Sequence, residues 1–471
     1  MLFNSIEYLF FLPIVFILYW TVINHKIKYQ NLLILTSSYV FYGWWDYRFL
    51  SLIFLSTIVD YIIGINISKQ NSKNKRRLLL WCSLVFNLGV LACFKYFNFF
   101  VHSWVDLLSN FGYKINSLWT LNVILPVGIS FYTFQTMSYT IDIYRKKLKP
   151  TNDFISFASF VSFFPQLVAG PIERATNLLP QITRIRVFNY KQAVQGLRLI
   201  IWGMFKKVVV ADSLAPIVDK IFAGYHDFGA ATLWLGVIYF AFQIYCDFSG
   251  YSDIAIGTSK LFGFELMSNF KFPYFSRNIG EFWRRWHISL STWFRDYVYI
   301  PLGGSKEGKW KSIRNIFIIF IISGFWHGAN WTFIFWGFFH SILFLPSFIF
   351  NTNRIYITNN IGENKVLPTI KEFLQISATF LSVTIGWVFF RSETIKDSFD
   401  YLNRLFEINF DLLYYNKLVL IFFLIVIEWK TKNDEREIYN NLNLRRVIDF
   451  ILLFLIISYF GNNKPFIYFN F

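Results

Sequence analysis

The segment Ile321-Ile-Ser-Gly-Phe-Trp-His-Gly-Ala-Asn-Trp331 places one titratable side chain between two long apolar runs. His327 is followed by Gly328 and Ala329, which add almost no side-chain bulk around it. An imidazole at membrane depth is costly, and such residues usually mark a pathway or a reaction site. A buried histidine that is hydrogen bonded to a backbone carbonyl explains the segment equally well at this point.

The composition identifies a membrane protein. The chain has 471 residues, of which 55% are hydrophobic and 22% aromatic, and its mean hydropathy is +0.42. Because a helical crossing needs roughly 20 apolar residues, we predict an all-α polytopic protein with about eleven transmembrane helices plus re-entrant helices. The apolar runs lie near 7–23, 31–45, 49–67, 78–97, 121–143, 154–170, 195–211, 231–246, 312–326, 331–350, 371–390, 414–429 and 447–461.

The net charge of +17 is concentrated in short basic clusters between the apolar runs. This distribution is typical of cytoplasmic loops that face anionic lipid headgroups, and it argues against nucleic-acid binding. The clusters lie at 69–77, 145–149, 306–314 and 430–446. The positive-inside rule places them in the cytoplasm and both termini outside. No basic region precedes the first apolar run, which predicts a retained span and not a cleaved signal peptide.

The orientation also predicts the depth of His327. A helix that starts near Arg314 at the cytoplasmic face rises about 20 Å before it reaches His327. The hydrocarbon layer is roughly 30 Å thick, so we expect His327 inside the membrane, toward its outer half, at a turn between two helices. We predict one integral membrane domain, with N-terminal spans in 1–150, a catalytic core in 151–350, and C-terminal spans with an aromatic motif in 351–471.

Two sets of polar side chains interrupt apolar spans in the middle of the sequence. Gln135, Ser138 and Asp142 share one face of a predicted helix. Asp247 and Asp253 bracket hydroxyl side chains and a glycine at the end of another span. Both sets are candidates for substrate binding, and polar contacts between helices are the alternative.

Residues 281–297 are rich in aromatic and basic side chains, and their spacing predicts an amphipathic helix. One interpretation is an interfacial helix with an aromatic belt and headgroup-binding arginines. The other is a basic row that receives the phosphates of an acyl donor, with His287 facing the reaction site. The predicted aromatic face comprises Trp283, Trp286, Leu290, Trp293 and Tyr297, and the polar row comprises Arg284, His287, Ser291 and Arg295.

These residues carry a family resemblance. The block Phe282-Trp-Arg-Arg-Trp-His-Ile-Ser-Leu-Ser-Thr-Trp-Phe-Arg-Asp-Tyr-Val-Tyr-Ile-Pro-Leu-Gly-Gly304, followed by Gly324-Phe-Trp-His-Gly328, resembles the membrane-bound O-acyltransferase (MBOAT) family. The most similar branch is the bacterial one of alginate and peptidoglycan O-acetylation. Val168-Ala-Gly-Pro-Ile-Glu-Arg174 and Gly386-Trp-Val-Phe-Phe-Arg391 fit the same branch.

The resemblance implies a helical bundle in which a funnel from each face meets at a buried histidine. His327 corresponds to the family's catalytic histidine and His287 to its second histidine. The tail Lys464-Pro-Phe-Ile-Tyr-Phe-Asn-Phe471 resembles an aromatic motif whose tyrosine, here Tyr468, carries the acyl group as an ester. An aromatic tail at the outer interface is the alternative for that segment. The candidate substrate-binding residues are Arg284, Arg285, Trp286, Trp326, Gln135, Asp247 and Asp253.

The same resemblance implies a reaction and its partners. We expect transfer of an acetyl group from cytoplasmic acetyl-CoA, across a bacterial inner membrane, to alginate, peptidoglycan or another exopolysaccharide. An extracytoplasmic SGNH-type, esterase-like transferase is the expected protein partner, and membrane lipids surround the chain. His327 as a neutral imidazole can take the proton of a hydroxyl nucleophile. Backbone N–H groups of Gly328 and Ala329 are candidates to stabilise the oxyanion.

Other functional classes remain open from the residues alone. A transporter or flippase of a lipid-linked sugar or acyl carrier could use His327 as a proton relay. A membrane glycosyltransferase would need a catalytic acid in an outer loop. The cysteines, Cys82, Cys93 and Cys246, lack metal-type spacing, so we predict no metal site and no bound cofactor. His340 either faces the same site as His327 or packs between helices, and we favour packing.

Overall fold

The computed structural model describes residues 1–23, 26–113, 120–121, 124–168, 170–357, 361–362, 367–409, 411–436, 445–461 and 464–467. Helices form all the regular structure of these residues. The chain divides into two compact units. The first unit contains Ser5–Tyr190 and Leu261–Leu266, and the second contains Leu2–Asn4, Lys191–Lys260 and Met267–Phe471.

The helices of the first unit span the N-terminal part of the sequence. They are α1 Ile6–Ile17, α2 Ile27–Asp46, α3 Leu50–Lys69, α4 Lys73–Leu91, α5 Phe97–Asn110, α6 Ile129–Tyr144, α7 Phe154–Val161, α8 Phe164–Leu167 and α9 Ala175–Ile182.

The remaining helices build the second unit, apart from the first residue of α10 and the last residue of α12. They are α10 Tyr190–Met204, α11 Asp212–Ala223, α12 Ala230–Leu261, α13 Ile279–Arg285, α14 Ile288–Phe294, α15 Lys309–His327, α16 Trp331–Ile349, α17 Ile370–Arg391, α18 Ile395–Arg404, α19 Leu418–Lys430 and α20 Arg445–Tyr459.

Several of these helices have the length and composition of membrane spans. Five apolar helical stretches in the described part of the chain are long enough to cross a bilayer, namely Ile27–Lys69, Lys73–Asn110, Ala230–Leu261, Trp331–Ile349 and Ile370–Arg391. The total of about eleven crossings, together with the two converging funnels, stays a prediction.

A buried polar cluster joins α3, α4 and α6 in the first unit. Asp60 is fully buried and accepts hydrogen bonds from Ser83 at 2.6 Å and from Asn87 at 2.8 Å. Thr136 of α6 donates to the amide oxygen of Asn87 at 3.2 Å. Because lipid cannot satisfy polar groups, such contacts hold membrane helices together.

Paired glycines bring α10 and α12 of the second unit into backbone contact. A Cβ atom added to Gly203 would lie 2.5 Å from the carbonyl oxygen of Gly250, and one added to Gly250 would lie 2.7 Å from that of Gly203. Gly196 and Gly257 face each other in the same way, seven residues before Gly203 on α10 and seven residues after Gly250 on α12. Small residues at such crossings are the usual means of close helix packing in membranes. The approach places the start of the π-helical turn Phe205–Ala211 beside the middle of α12.

Residues 281–297 do not form the single helix that their periodicity predicts. Helix α13 ends at Arg285, and α14 begins at Ile288 after His287 adopts a left-handed conformation with φ of 42°. The helix breaks here because the backbone of residues 269–271 forms hydrogen bonds with the backbone on both sides of the break. Ile288 N–H donates to the Asn269 carbonyl at 2.9 Å, and Lys271 N–H donates to the Arg285 carbonyl at 3.0 Å. Local periodicity carries no information about these contacts.

Candidate active site

His327 is the last residue of α15 and lies at the turn into α16, as predicted. Its side chain is 2% exposed. Aromatic rings surround it, with centroids 5.1 Å away for Trp326, 5.2 Å for Trp336 and 5.4 Å for Phe390. Asn330 ends the turn and caps the N-terminus of α16, because its side-chain oxygen accepts a hydrogen bond from the backbone N–H of Thr332.

The structure brings His287 beside His327. The two ring centroids are 6.3 Å apart, although His287 precedes α14 and His327 ends α15. His287 is also buried, at 1% exposure, and the ring of Phe248 from α12 meets it edge-on at 4.6 Å. Trp326 contacts both imidazoles, since its ring centroid is 5.9 Å from His287 and 5.1 Å from His327. The two predicted catalytic histidines and one predicted substrate-binding tryptophan therefore share one buried site.

Asn269 fixes the orientation and tautomer of His287. Its amide oxygen lies 3.1 Å from His287 Nδ1 and also accepts from the backbone N–H of Ser289 at 3.3 Å. A backbone N–H can only donate, so the atom that faces both groups is the oxygen. His287 Nδ1 must then carry the hydrogen, which leaves Nε2 of the neutral ring as the acceptor. Asn269 could not be predicted as a site residue, because nothing in its sequence neighbourhood resembles a motif.

We expect Asn269→Ala to lower the rate of acyl transfer about 10- to 100-fold through misorientation of His287. Asn269→Asp, which retains an acceptor oxygen at the same position, should recover part of the loss. Initial rates at saturating donor, measured in membranes with equal amounts of each variant, check this expectation. Equal rates for the wild type and Asn269→Ala would show that the orientation of His287 is unimportant.

The predicted donor-binding arginines have protein partners. Arg284 donates to the backbone carbonyls of Asn353 and Tyr356. Arg285 pairs with Glu281 at 2.8 Å and donates to the Lys271 carbonyl. These contacts secure the loops around α13, and a role in binding donor phosphates stays a prediction.

Trp286 and Gln135 are both buried and have packing partners. Trp286 is 1% exposed and packs against Trp387 at 5.0 Å, inside the second unit and not on its surface. Gln135 belongs to the first unit, where its amide donates to the Phe160 carbonyl at 2.6 Å. That contact matches the helix-packing alternative, and the substrate role of Gln135 stays a prediction.

Asp247 and Asp253 belong to two separate buried ion pairs on α12. Asp253 pairs with Lys206 at 2.5 Å. Asp247 pairs with Lys207 at 2.7 Å, and Lys207 also contacts Asp212 at 2.8 Å. Neither lysine was among the predicted site residues. Adjacent charged residues inside the apolar run 195–211 were the available signal, because charges at membrane depth are seldom placed without partners.

A cavity of about 700 Å³ in the second unit lies between the turn after His327 and the ionic cluster that Lys207, Asp212 and Asp247 form. Part of its wall is formed by Lys464, Pro465 and Ile467, which lie just before Tyr468 in the sequence. Tyr468 itself lies outside the described residues. The wall includes Ala329, Asn330 and Phe333 after His327, Lys207, Asp212 and Asp247 of the ionic cluster, Phe390 and Arg391 at the end of α17, and Lys464, Pro465 and Ile467.

The two candidate oxyanion donors differ in their surroundings. Gly328 N–H points to the Gly324 carbonyl at 3.4 Å, as the closing bond of α15. Ala329 lines the cavity. Ala329 is therefore the better placed of the two. Within the described ranges, no group of three or more His, Cys, Asp or Glu side chains is placed to hold a metal ion.

Comparison with known proteins identifies the family. Residues 145–360 match the family model of the membrane-bound O-acyltransferases. The protein of Pseudomonas aeruginosa named "Probable alginate O-acetylase" is 38% identical over 465 residues, which cover 98% of this chain and 81% of the relative. The chain belongs to the membrane-bound O-acyltransferase family.

Other relatives of this O-acyltransferase differ in the polymer that their names specify. The peptidoglycan O-acetyltransferase of Helicobacter pylori is 34% identical over 443 residues, covering 87% of this chain and 80% of the relative. The teichoic acid D-alanyltransferase of Streptococcus thermophilus is 32% identical over 261 residues, covering 52% of this chain and 62% of the relative. Together with the apolar helices, these relationships identify a multi-pass membrane enzyme that transfers acyl groups to oxygen. The predicted activity class is confirmed.

Proposed function

We propose that this O-acyltransferase moves an acetyl group from cytoplasmic acetyl-CoA to an extracytoplasmic polysaccharide, through an ester on Tyr468. The two adjacent buried histidines carry the proposal, because they supply a base and a second imidazole in one water-poor site. The shared cavity supports the involvement of Tyr468, since residues 464–467 and the turn after His327 line the same space.

In the first step, His327 accepts the phenolic proton of Tyr468 as the oxygen attacks the thioester carbonyl. A C–O bond forms, the C–S bond breaks, and the thiolate of CoA takes the proton from His327. A phenol has a reference pKa near 10, so it is activated more easily than an aliphatic hydroxyl. The aryl ester then passes its acetyl group to a partner transferase, which releases the tyrosine for the next cycle.

Charge and helix length support the proposed direction of transfer. Helix α15 begins at Lys309 within a basic loop that the positive-inside rule assigns to the cytoplasm. Its 19 residues rise about 27 Å before they end at His327. A donor that enters from the cytoplasm and a tail that approaches from the opposite face would then meet near His327. We assign the protein to the inner membrane of a bacterial cell with both termini outside.

We propose the chemical class of the molecule that accepts the acetyl group. Relatives named for alginate and peptidoglycan O-acetylation support an extracytoplasmic polysaccharide that carries free hydroxyl groups. An SGNH-type, esterase-like enzyme outside the membrane is the proposed recipient of the acetyl group.

Incubation of membranes with acetyl-labelled acetyl-CoA tests the ester intermediate. We expect label on the protein that hydroxylamine removes, because this reagent cleaves activated esters. Labelled free acetate is the control donor and should leave the protein unlabelled. A protein that supports polysaccharide O-acetylation but never becomes labelled would contradict a covalent carrier. A transporter would also stay unlabelled.

A further inference from the structure

Residues 464–467, the tail segment, are held in the second unit mainly through their backbone. Ile467 N–H donates to Asp247 Oδ2 at 2.6 Å. Lys207 Nζ donates to the Pro465 carbonyl at 3.4 Å. The backbone of Lys464 is hydrogen bonded to Asp212. Lys207, Asp212 and Asp247, which form one ionic cluster, therefore each contact the main chain of this short segment.

One side chain of the tail segment adds an aromatic anchor. Phe466 is fully buried, and its ring centroid lies 4.6 Å from Tyr251 and 5.5 Å from Phe248. Phe248 is the same residue that meets His287 edge-on. The ring of Phe248 therefore contacts both Phe466 of the tail segment and His287 of the candidate active site.

The charge of the cluster explains why it binds a peptide backbone. One lysine lies between two carboxylates, and the three side chains are at most 4% exposed. The excess negative charge needs further hydrogen-bond donors, because a buried carboxylate that lacks them is strongly disfavoured. Two backbone N–H groups of the tail segment supply these donors.

We propose that Lys207, Asp212 and Asp247 form a docking site for the tail segment and set the position from which Tyr468 is presented to His327. The positioning role rests on the proposed ester carrier, whereas the docking does not. Recognition depends on backbone geometry at 464, 465 and 467 and on an aromatic ring at 466. The three ionic residues are positioning residues and take no part in bond making.

A spin label on Lys464→Cys, which is an exposed position, reports docking without any acyl transfer. The label is placed in a variant whose native cysteines, Cys82, Cys93 and Cys246, are replaced. Ile467→Pro removes the N–H that Asp247 accepts, and Ile467→Ala is the matched control that keeps it. We expect Ile467→Pro to raise the ratio of mobile to immobile label about tenfold or more, the effect of losing one hydrogen bond to a charged group.

Two core variants make the test independent of the tail sequence. Asp247→Ala should mobilise the label in the same way. Asp253→Asn should not, because Asp253, which lies on the same helix as Asp247, pairs with Lys206, and no described hydrogen bond or ion pair joins these two residues to the tail segment. An immobile label in both Ile467→Pro and Asp247→Ala would overturn the docking site.

Acyl transfer in the same variants tests the positioning role. Transfer should fall further in Ile467→Pro than in Ile467→Ala, which keeps the backbone N–H that Asp247 accepts. A released tail with unchanged transfer would overturn the positioning role. A docked tail with full activity in Tyr468→Phe would instead overturn the ester carrier and leave the docking site standing, so the two proposals fail separately.

Discussion

His327→Ala is expected to lower acyl transfer about 10²- to 10⁴-fold, the contribution typical of a general base. The side chain is almost fully buried, and its neighbours are aromatic rings with no carboxylate among the described ring contacts. Trp326, Trp336 and Phe390 carry no base that could take over proton transfer, and His287 is the titratable ring that lies beside them, with its centroid 6.3 Å from that of His327. Polysaccharide O-acetylation in cells and acetyl labelling of the purified protein, both normalised to protein amount, measure the loss.

His340→Phe is the matched control for this prediction. His340 is also a fully buried histidine of the same helical hairpin, and it packs between Trp336 at 4.8 Å and Trp283 at 5.0 Å. A phenyl ring keeps that packing, so the activity should stay within about threefold of the wild type. If both variants lost activity equally, a loss of packing would explain the result and His327 would have no special role.

Tyr468→Phe is expected to abolish both the hydroxylamine-sensitive label and polysaccharide O-acetylation. The substitution keeps the aromatic ring and removes only the hydroxyl that would carry the acetyl group. Tyr459→Phe, at the end of α20, removes a hydroxyl nearby in the sequence and should leave both measurements unchanged. Full O-acetylation by Tyr468→Phe would assign the tail an anchoring role alone.

The sequence singled out the two histidines, whose catalytic roles stay a prediction, but it did not indicate their supporting contacts. His287 and His327 stand in motifs with distinctive glycine and tryptophan neighbours, so a reader of the sequence can pair them through the family resemblance. Their separation of 6.3 Å depends on how α13 to α16 pack, which only the three-dimensional structure defines. The left-handed backbone at His287 was unpredictable for the same reason, since it depends on Asn269.

The ionic cluster shows a second limit of prediction from the sequence. Asp247 was predicted as a candidate substrate-binding residue, with polar contacts between helices as the alternative. Its partners, Lys207 and the backbone of Ile467, are distant from it in the sequence. Hydropathy indicates that a buried charge needs a partner and does not say which one. The glycines of α10 and α12 were the physical cause of that pairing, because their close approach aligns the two helices.

The aromatic rings around His327 also bear on the lifetime of the bound donor. A thioester hydrolyses when water reaches its carbonyl, so the proposed donor must be shielded from water until the acyl group is transferred. Trp326, Trp336 and Phe390 leave His327 only 2% exposed, so the base that would activate water is kept dry. The same enclosure that makes the histidine costly to bury would thereby protect the proposed thioester donor from hydrolysis.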